Sequence, residues 1–279
     1  MMRVLTLTCR GWSADVVPEN GAAVLGFDSP HGEEVLRRGQ DPEGLPQSMA
    51  CFPMVPFWGR MPDRTFEWNG RRVTLAPNLA DGGVAHGFGW KAPWRTEVQS
   101  SSSVELSYSH PKGRRGWPWS FEATLKISLG QGELGQLLRI VNTDVTAMPA
   151  AVGFHPYLPA APGAVLAGRG GHGYDLDADG QPSNVRLPVP HRMAVDQTRH
   201  SLTTTGTGLV LEDGQNARRL TASTDQWVLF RPPGENLICL EPVTGAAPSS
   251  WAGPGDMDFR GLGPGCSRQV RLSLSLGPV

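Results

Sequence analysis

The sequence predicts an all-β protein in which two large antiparallel sheets pack face to face as a β-sandwich. Apolar and polar side chains alternate over residues 104–108, 121–129 and 270–276, and a period of two is typical of a strand with one buried face. In addition, no long segment combines a 3.6-residue period with the absence of glycine and proline. Sheets with one apolar face bury it most simply against a second sheet, which favours a sandwich.

The predicted strands follow one another with turn residues between them. In chain order they are 104–108, 121–129, 137–142, 227–230 and 270–276. The 279 residues include 35 glycines and 25 prolines spread along the chain, as expected where many short strands are joined by turns. No break in composition divides the sequence. We therefore expect one domain over residues 1–279, a length that a β-sandwich can reach.

Charge and composition limit the partners that this chain can have. The 25 lysines and arginines nearly balance the 26 aspartates and glutamates, for a net charge of −1, so there is no global field to attract nucleic acid or an anionic membrane. The first residues lack a signal-peptide pattern, and no apolar run reaches transmembrane length. The four cysteines are scattered without a CxxC pair, as expected of reduced thiols. We expect a cytoplasmic protein with no nucleic-acid or membrane partner.

A histidine in a rigid segment is the first candidate for chemistry. His155 lies within the sequence GFHPY at 153–157, where Pro156 restricts the backbone beside it. A second rigid segment, CLEP at 239–242, holds Glu241. Imidazole and carboxyl groups start from pKa values near about 6.5 and 4.3, so one can arrive protonated and the other ionised, as general acid–base catalysis requires. The alternative for His155 is a buried, hydrogen-bonded structural residue.

Two further segments add aromatic and polar side chains. Residues 53–61 include Trp58 and Arg60, and residues 84–90 include His86 and Trp90. A flat apolar wall with a few polar anchors suits a small polar ligand such as a sugar. Because the chain has nine tryptophans, most must belong to the core, and we expect one or two near a ligand; Trp58, Trp90 and Trp94 are the candidates.

The histidines also allow an alternative chemistry. His86, His155 and Glu241 could form a metal site of two histidines and one carboxylate, although no HxH or HExxH pairing supports it locally. The other five histidines stand in polar, loop-like surroundings and are predicted to be solvated. They are His31, His110, His172, His191 and His200.

Taken in order, these segments resemble the aldose 1-epimerases, also called galactose mutarotases. Each matching piece is short, but their order over residues 50–250 is specific. The pieces are CFPMVPF at 51–57 with Gly59-Arg60, Asn78, HGFGW at 86–90 with Pro93-Trp94, Asn142, GFHPY at 153–157 and CLEPVT at 239–244. The resemblance implies a galactose mutarotase-like supersandwich with an open sugar-binding cleft, a small-molecule sugar as partner, no cofactor and no metal.

The resemblance also implies an activity, the interconversion of the α and β anomers of a free hexose or related aldose. By position, Glu241 corresponds to the general base that takes the proton of the C1 hydroxyl. His155 corresponds to the general acid that protonates the ring oxygen as the C1–O5 bond opens. Arg60 and His86 fall where the family binds sugar oxygens.

Two positions are less clearly matched. The family usually has asparagine immediately before the arginine, where this chain has Gly59. It also supplies a sugar-binding aspartate between the histidine and the glutamate. Asp196 is the candidate here, with Asp175 and Asp177 as rivals.

Two other functions remain open at this point. Gly59 is compatible with a non-catalytic carbohydrate-binding protein on the same scaffold. An epimerase of a phosphorylated or otherwise anionic sugar would need more cationic groups than Arg60, and nearby only Arg64 and Lys91 offer them. The loop-rich stretches 159–173 and 245–255 are expected to set the choice of sugar. The sequence does not indicate an oligomeric state.

Overall fold

Two large antiparallel sheets make up the fold, in a computed structural model that describes residues 2–61, 63–177, 180–245 and 261–279. With strands numbered along the chain, the first sheet contains β1 (Leu5–Cys9), β2 (Trp12–Val17), β3 (Ala23–Asp28), β4 (Glu34–Leu36), β5 (Cys51–Met54), β14 (Gly153–Pro159), β16 (Gly171–Leu176), β17 (Pro182–Val189), β19 (Ser201–Thr204), β22 (Gln226–Phe230) and β23 (Leu237–Pro242). Its order is β1-β2-β3-β5-β14-β23-β22-β19-β16-β17, and β4 pairs with β3.

The second sheet is formed by β10 (Arg95–Gln99), β11 (Ser103–His110), β12 (Phe121–Leu129), β13 (Glu133–Asn142), β15 (Val165–Gly168), β18 (Arg192–Ala194), β20 (Gly208–Asp213), β21 (Asn216–Ala222) and β24 (Ser267–Pro278). Its order is β10-β11-β12-β13-β24-β21-β20-β15-β18. Two small two-stranded sheets pair β6 (Arg60–Met61) with β9 (Val84–Ala85) and β7 (Thr65–Trp68) with β8 (Arg71–Thr74). Single 3₁₀ turns occupy Pro46–Ser48, Gly89–Lys91, Arg114–Gly116 and Val195–Gln197.

The core between the two sheets follows the alternation predicted from the sequence. Every second residue of β12, from Phe121 to Leu129, is buried, and the residues between them face outward. The same buried cluster includes Phe154 and Leu158 of β14 and Leu240 of β23. Since complete burial of one large apolar side chain is worth about 1.5–3 kcal/mol, this core is the main source of stability.

The central strands β14 and β23 are buried on both faces. Successive side chains of a strand alternate between faces, so Phe154 lies in the inter-sheet core while His155 lies on the outer face of the first sheet. On β23, Leu240 and Glu241 divide in the same way. A second buried cluster covers this outer face; it includes Phe52, Met54, Trp58, Trp90, Tyr157 and Cys239.

The predicted all-β sandwich is confirmed, and the segment 121–129 is β12 itself. One predicted loop is wrong in part: residues 159–173 contain β15 and the start of β16. Of the predicted loop 245–255, Gly245 is described and the rest lies outside the described residues. None of the helices in the described part of the chain has the length and apolar character needed to cross a bilayer.

Candidate active site

The pairing of β14 with β23 brings His155 and Glu241 together. Tyr157 lies opposite Cys239 and Gly153 lies opposite Val243, so the antiparallel register places His155 opposite Glu241. The two side chains therefore share the outer face of the sheet. His155 Nε2 lies 3.3 Å from Glu241 Oε1, and the side chains are only 7% and 4% exposed. Because burying polar groups without a partner costs free energy, each of these two side chains needs the other as its partner.

Aromatic rings fix the imidazole of His155. Phe52 stacks on it with the ring centroids 4.7 Å apart, and Tyr157 stacks with its centroid also at 4.7 Å. The guanidinium carbon of Arg37 lies 3.8 Å from the centre of the Tyr157 ring, a cation–π contact. The Arg37 side chain also donates to the backbone carbonyls of Gln47 and Met49. The orientation of His155 is therefore set by packing.

Burial determines where the pair holds its proton. Removal from water, with smaller contributions from His86 and Arg37, lowers the pKa of His155 well below its ordinary value. Removal from water also raises the pKa of Glu241 well above its ordinary value. Both shifts favour the uncharged form. The pair therefore carries one proton over a wide range of pH, and the two atoms that can hold it lie 3.3 Å apart.

His86 follows β9, in the small sheet of β6 and β9, and reaches the site from there. Its backbone is in the left-handed region at φ 57°, and its N–H donates to the carbonyl of Gly59 at 2.9 Å. Its ring lies 5.3 Å from that of His155, edge to face. Burial and the charges of Arg60 and Lys91 lower the pKa of His86 to about 3, so the imidazole is neutral near pH 7.

Asn78 holds the turn that carries His86. Its amide donates to the carbonyls of Ala85 at 2.9 Å and Gly87 at 2.8 Å, and its side-chain oxygen accepts from the N–H of Ala85 at 2.9 Å. Three hydrogen bonds from one amide fix the residues on both sides of His86. Asn78 thus positions the turn, and the left-handed conformation of His86 is one that such constraints can maintain.

These groups line one open cleft of about 290 Å³ on the outer face of the first sheet. Trp58, Arg60, His86, His155, Tyr157 and Glu241 contribute to its walls, together with His200, Val228 and Phe230 from β22 and the start of β19. Several buried polar atoms of the lining have no hydrogen-bond partner: Gln47 Oε1, Trp58 Nε1, Arg60 Nε, His86 Nδ1 and His155 Nδ1. Buried polar atoms are nearly always paired in proteins, so this concentration indicates a cleft built for a polar ligand.

The tryptophans divide between cleft and core. Trp58 lines the cleft. Trp90 and Trp94 are buried, and their indole N–H groups donate to the carbonyls of Ala85 and Gly89, each at 2.9 Å. Of the three candidates, Trp58 alone is among the described residues that line the cleft.

The aspartates expected at the sugar site lie elsewhere in the structure. Asp196 is exposed and its carboxylate lies 3.0 Å from Arg231. Asp175 pairs with Arg199 at 2.6 Å and lines a different cavity of about 300 Å³ between β16, β17 and β19. Asp177 is exposed. None of the three is among the described residues that line the cleft of His155 and Glu241.

The backbone conformation at residue 59 explains why glycine fits there. It lies at φ 77°, and a Cβ added to it would meet no atom within 4 Å. The left-handed region is open to glycine and, next most readily, to asparagine. The glycine and the asparagine usual in the family therefore satisfy the same backbone requirement.

Of the five histidines predicted to be solvated, one is buried, two are half-buried and two are exposed. His110 is buried, with its ring 4.6 Å from Phe88 and 4.9 Å from Phe121, and both of its nitrogens are hydrogen-bonded. His200 is half-buried and lines the cleft. His31 and His191 are exposed as predicted, and His172 is half-buried.

The group of possible metal ligands in the structure differs from the one that the sequence suggested. His155, Cys239 and Glu241 offer ligand atoms that all lie within 4.8 Å of one another, whereas His86 is not part of this group. A thiol must lose its proton to bind a metal, and burial raises the pKa of Cys239 well above its ordinary value. The donor set therefore fits a proton-holding pair better than a metal centre.

Comparison with known proteins agrees with this geometry. The sequence profile of the family described as "Aldose 1-epimerase" matches residues 3–272, nearly the whole chain. The chain belongs to the aldose 1-epimerase family. In this chain the cleft, its buried His–Glu pair and the surrounding aromatic residues occupy one face of the first sheet.

Similar proteins come from bacteria and from an animal. YphB of Escherichia coli K12, named as an uncharacterized protein, is 30% identical over 164 residues, which are 58% of this chain and 53% of that protein; the chain thus spans about half the length of this relative. A galactose mutarotase-like protein from Clostridium acetobutylicum has a TM-score of 0.85 at 18% identity, covering 100% of this chain and 96% of its own. A GalM/aldose epimerase homologue from C. elegans has a TM-score of 0.83 at 13% identity, with 100% of both chains covered. The structural likenesses show the same fold.

Proposed function

We propose that this protein is an aldose 1-epimerase that interconverts the α and β anomers of a free, neutral aldose. The observation that carries the proposal is the buried pair of His155 and Glu241, 3.3 Å apart, in the wall of a cleft lined with unpaired polar atoms. Glu241 takes the proton of the C1 hydroxyl, and His155 gives its proton to the ring oxygen as the C1–O5 bond breaks. The open aldehyde rotates about C1–C2 and closes on its other face with the proton roles reversed.

The proton balance of the pair supports this reaction. Before a sugar binds, burial places the proton of the pair on Glu241. The reaction starts from the form in which that proton has moved to His155, 3.3 Å away, and after ring opening the pair again holds one proton, on Glu241. Burial favours the uncharged forms of both residues, and the uncharged forms are the ones present once the ring is open. The site thus stabilises the pair on the intermediate side of the proton transfers. Positioned acid–base catalysis of this kind contributes about 10²–10⁴-fold.

The cationic groups near the cleft favour a neutral sugar over an anionic one. The Arg60 guanidinium is paired with Asp81. The Lys91 ammonium donates to the Asn78 carbonyl, and Arg64 donates to the Leu75 carbonyl. A phosphate group in the cleft would have to compete for Arg60 with the Asp81 carboxylate.

The test is anomeric exchange, measured by magnetisation-transfer NMR or polarimetry with a panel of aldoses and their 6-phosphates. We expect catalysed exchange of at least one neutral sugar, and loss of catalysis to near background in Glu241→Gln, which keeps the shape of the side chain. Binding of a sugar without faster exchange would identify a non-catalytic binding protein. Unchanged exchange in Glu241→Gln would refute the assignment of the base.

A further inference from the structure

The flank of the cleft opposite His86 has a polar group of its own. In the first sheet the strands run β5-β14-β23-β22-β19, with His155 on β14 and Glu241 on β23. His86 lies beside Phe52 of β5, on one flank. His200 immediately precedes β19, on the other flank, and lines the same cleft. With strands about 4.8 Å apart, β19 lies roughly 10 Å from β23, within reach of the far side of a sugar whose C1 faces Glu241.

The face on which His200 lies follows from strand alternation. Leu202, two residues later, belongs to the buried cluster that covers the outer face of the first sheet. Ser201 and Thr203 line the separate cavity on the reverse side. His200 therefore shares a face with Leu202 and with the cleft. Its ring also packs edge to face on Phe230, with the centroids 5.1 Å apart.

The hydrogen bonding of His200 leaves one nitrogen for a ligand. A hydrogen bond with the backbone of Asp177 raises the pKa of the imidazole, the effect expected where a ring N–H donates to a carbonyl. Burial lowers the pKa of His200, although Asp177 opposes the shift, so the ring is neutral near pH 7. A neutral imidazole whose first nitrogen donates has an acceptor at the second. No described aspartate lines this flank of the cleft.

We propose that His200 is a substrate-binding residue that accepts a hydrogen bond from a sugar hydroxyl remote from C1. The inference rests on the proposed function, since it assumes a sugar in this cleft. It makes His200 a determinant of which hydroxyl pattern is preferred. The proton transfers at C1 and O5 do not involve it.

The experiment compares two variants of His200 in binding and in exchange. His200→Phe keeps a ring against Phe230 but removes both nitrogens, and His200→Gln restores an acceptor. His31→Phe, at an exposed histidine, is the control. The dissociation constant of the sugar is measured by NMR titration, and KM and kcat by anomeric exchange. A series of 2-, 3-, 4- and 6-deoxy sugars identifies the hydroxyl involved.

For His200→Phe we expect the dissociation constant and KM to rise about 3- to 10-fold, the size of one neutral hydrogen bond, with kcat changed less than kcat/KM. The wild type should bind one deoxy sugar more weakly than the parent sugar, whereas His200→Phe should bind these two sugars with equal affinity. His200→Gln should again bind the parent sugar more tightly than the deoxy sugar, by part of the wild-type ratio. Equal affinity and an unchanged deoxy-sugar profile in His200→Phe would overturn the proposal. So would a fall in kcat alone, which would place His200 in the proton transfer.

Binding keeps this test separate from that of the proposed function. If the wild type binds sugars without exchanging their anomers, the proposed catalysis fails, but a weaker affinity in His200→Phe still supports the role of His200. If the wild type exchanges anomers and His200→Phe binds and exchanges identically, only the role of His200 fails. If the wild type binds no sugar of the panel, both are overturned.

Discussion

His110 and His155 are packed alike but differ in what their nitrogens contact. The ring of His110 stacks between Phe88 and Phe121, and that of His155 stacks between Phe52 and Tyr157. The nitrogens of His110 are both satisfied, Nδ1 by the Tyr108 hydroxyl at 2.7 Å and Nε2 by the Arg114 carbonyl at 3.1 Å.

The two ring nitrogens of His155 have no such fixed pair of hydrogen-bond partners. Its Nδ1 has no hydrogen-bond partner, and its Nε2 faces the carboxyl of Glu241 in the wall of an open cleft. Stacking between aromatic rings therefore does not distinguish a structural histidine from a reactive one. The difference lies in whether the ring nitrogens are already occupied.

The largest expected effect concerns activity. His155→Asn should lower the rate of anomeric exchange by about 10²–10⁴-fold, because it removes the group that moves a proton at the ring oxygen. Exchange is measured by NMR on protein shown to be folded by circular dichroism. The matched variant His110→Asn should exchange anomers at the wild-type rate at a temperature where it is folded. Equal losses in both would erase the distinction between the two histidines.

The second effect concerns stability. His110→Phe preserves the stacking but leaves the Tyr108 hydroxyl and the Arg114 carbonyl without their partner. A buried polar group left unpaired costs about 1–3 kcal/mol. The Tyr108 hydroxyl is buried, whereas Arg114 is exposed, so we expect the free energy of unfolding to fall by roughly 1–3 kcal/mol. Urea denaturation measures it, with His172→Phe as a control at a half-buried histidine. A variant as stable as the wild type would show that these hydrogen bonds contribute little.

The same residue predicts a dependence of stability on pH. Burial lowers the pKa of His110 from 6.5 to about 4, so the unfolded chain takes up a proton before the folded one does. Stability is then full above about pH 6.5 and is lost as the pH falls towards 4, by about 3 kcal/mol at 1.36 kcal/mol per unit of pKa. The difference in unfolding free energy between wild type and His110→Phe should shrink over this interval. A constant difference would contradict the assigned protonation.

A smaller effect is expected where a neutral ring binds substrate. Because the pKa of His86 is lowered to about 3, we expect this residue to offer the sugar a hydrogen bond without a charge at neutral pH. His86→Gln should therefore raise KM about 3- to 10-fold, the size of a neutral hydrogen bond, while kcat falls less. A loss confined to kcat would instead assign His86 to the proton transfer. Exchange kinetics over a range of sugar concentrations separate the two.

The smallest effect is expected at Gly59. Its left-handed backbone and the open space around it accommodate asparagine, so Gly59→Asn should change the free energy of unfolding by about 1 kcal/mol or less. The new amide reaches the cleft wall and should change KM within about threefold. Gly59→Val tests the backbone requirement, since a β-branched residue is strained at this φ. In thermal melts of the wild type and both variants, Gly59→Val should have the lowest melting temperature.

The sequence was most informative where a pattern is local. Alternation located β12, and the rigid segments around His155 and Glu241 lie on β14 and β23. Their meeting depends on the pairing of two strands more than 80 residues apart, which no local pattern encodes; only the ordered resemblance suggested it. His110 shows a signal that was available, because the alternation at 104, 106 and 108 continues to 110 and places that side chain on the buried face.

Other features depend on tertiary contacts alone. The ion pairs of Asp196 with Arg231 and of Asp175 with Arg199 join separate elements, so their engagement could not be read from spacing. The position of His200 on the flank of the cleft likewise requires the order β23-β22-β19, which departs from chain order. Charge counts and short motifs contain no information about sheet order.

The burial of β14 and β23 on both faces has a consequence for how this protein can diverge. The spacing of His155 and Glu241 is set by the backbone ladder of two central strands, and a slip of one residue would exchange them with Phe154 and Leu240. The groups on the flanks lie outside this ladder: His86 follows β9 of a small two-stranded sheet, and His200 immediately precedes β19. If the proposed function holds, substrate preference can diverge through substitutions at the rim while the central pair keeps its geometry.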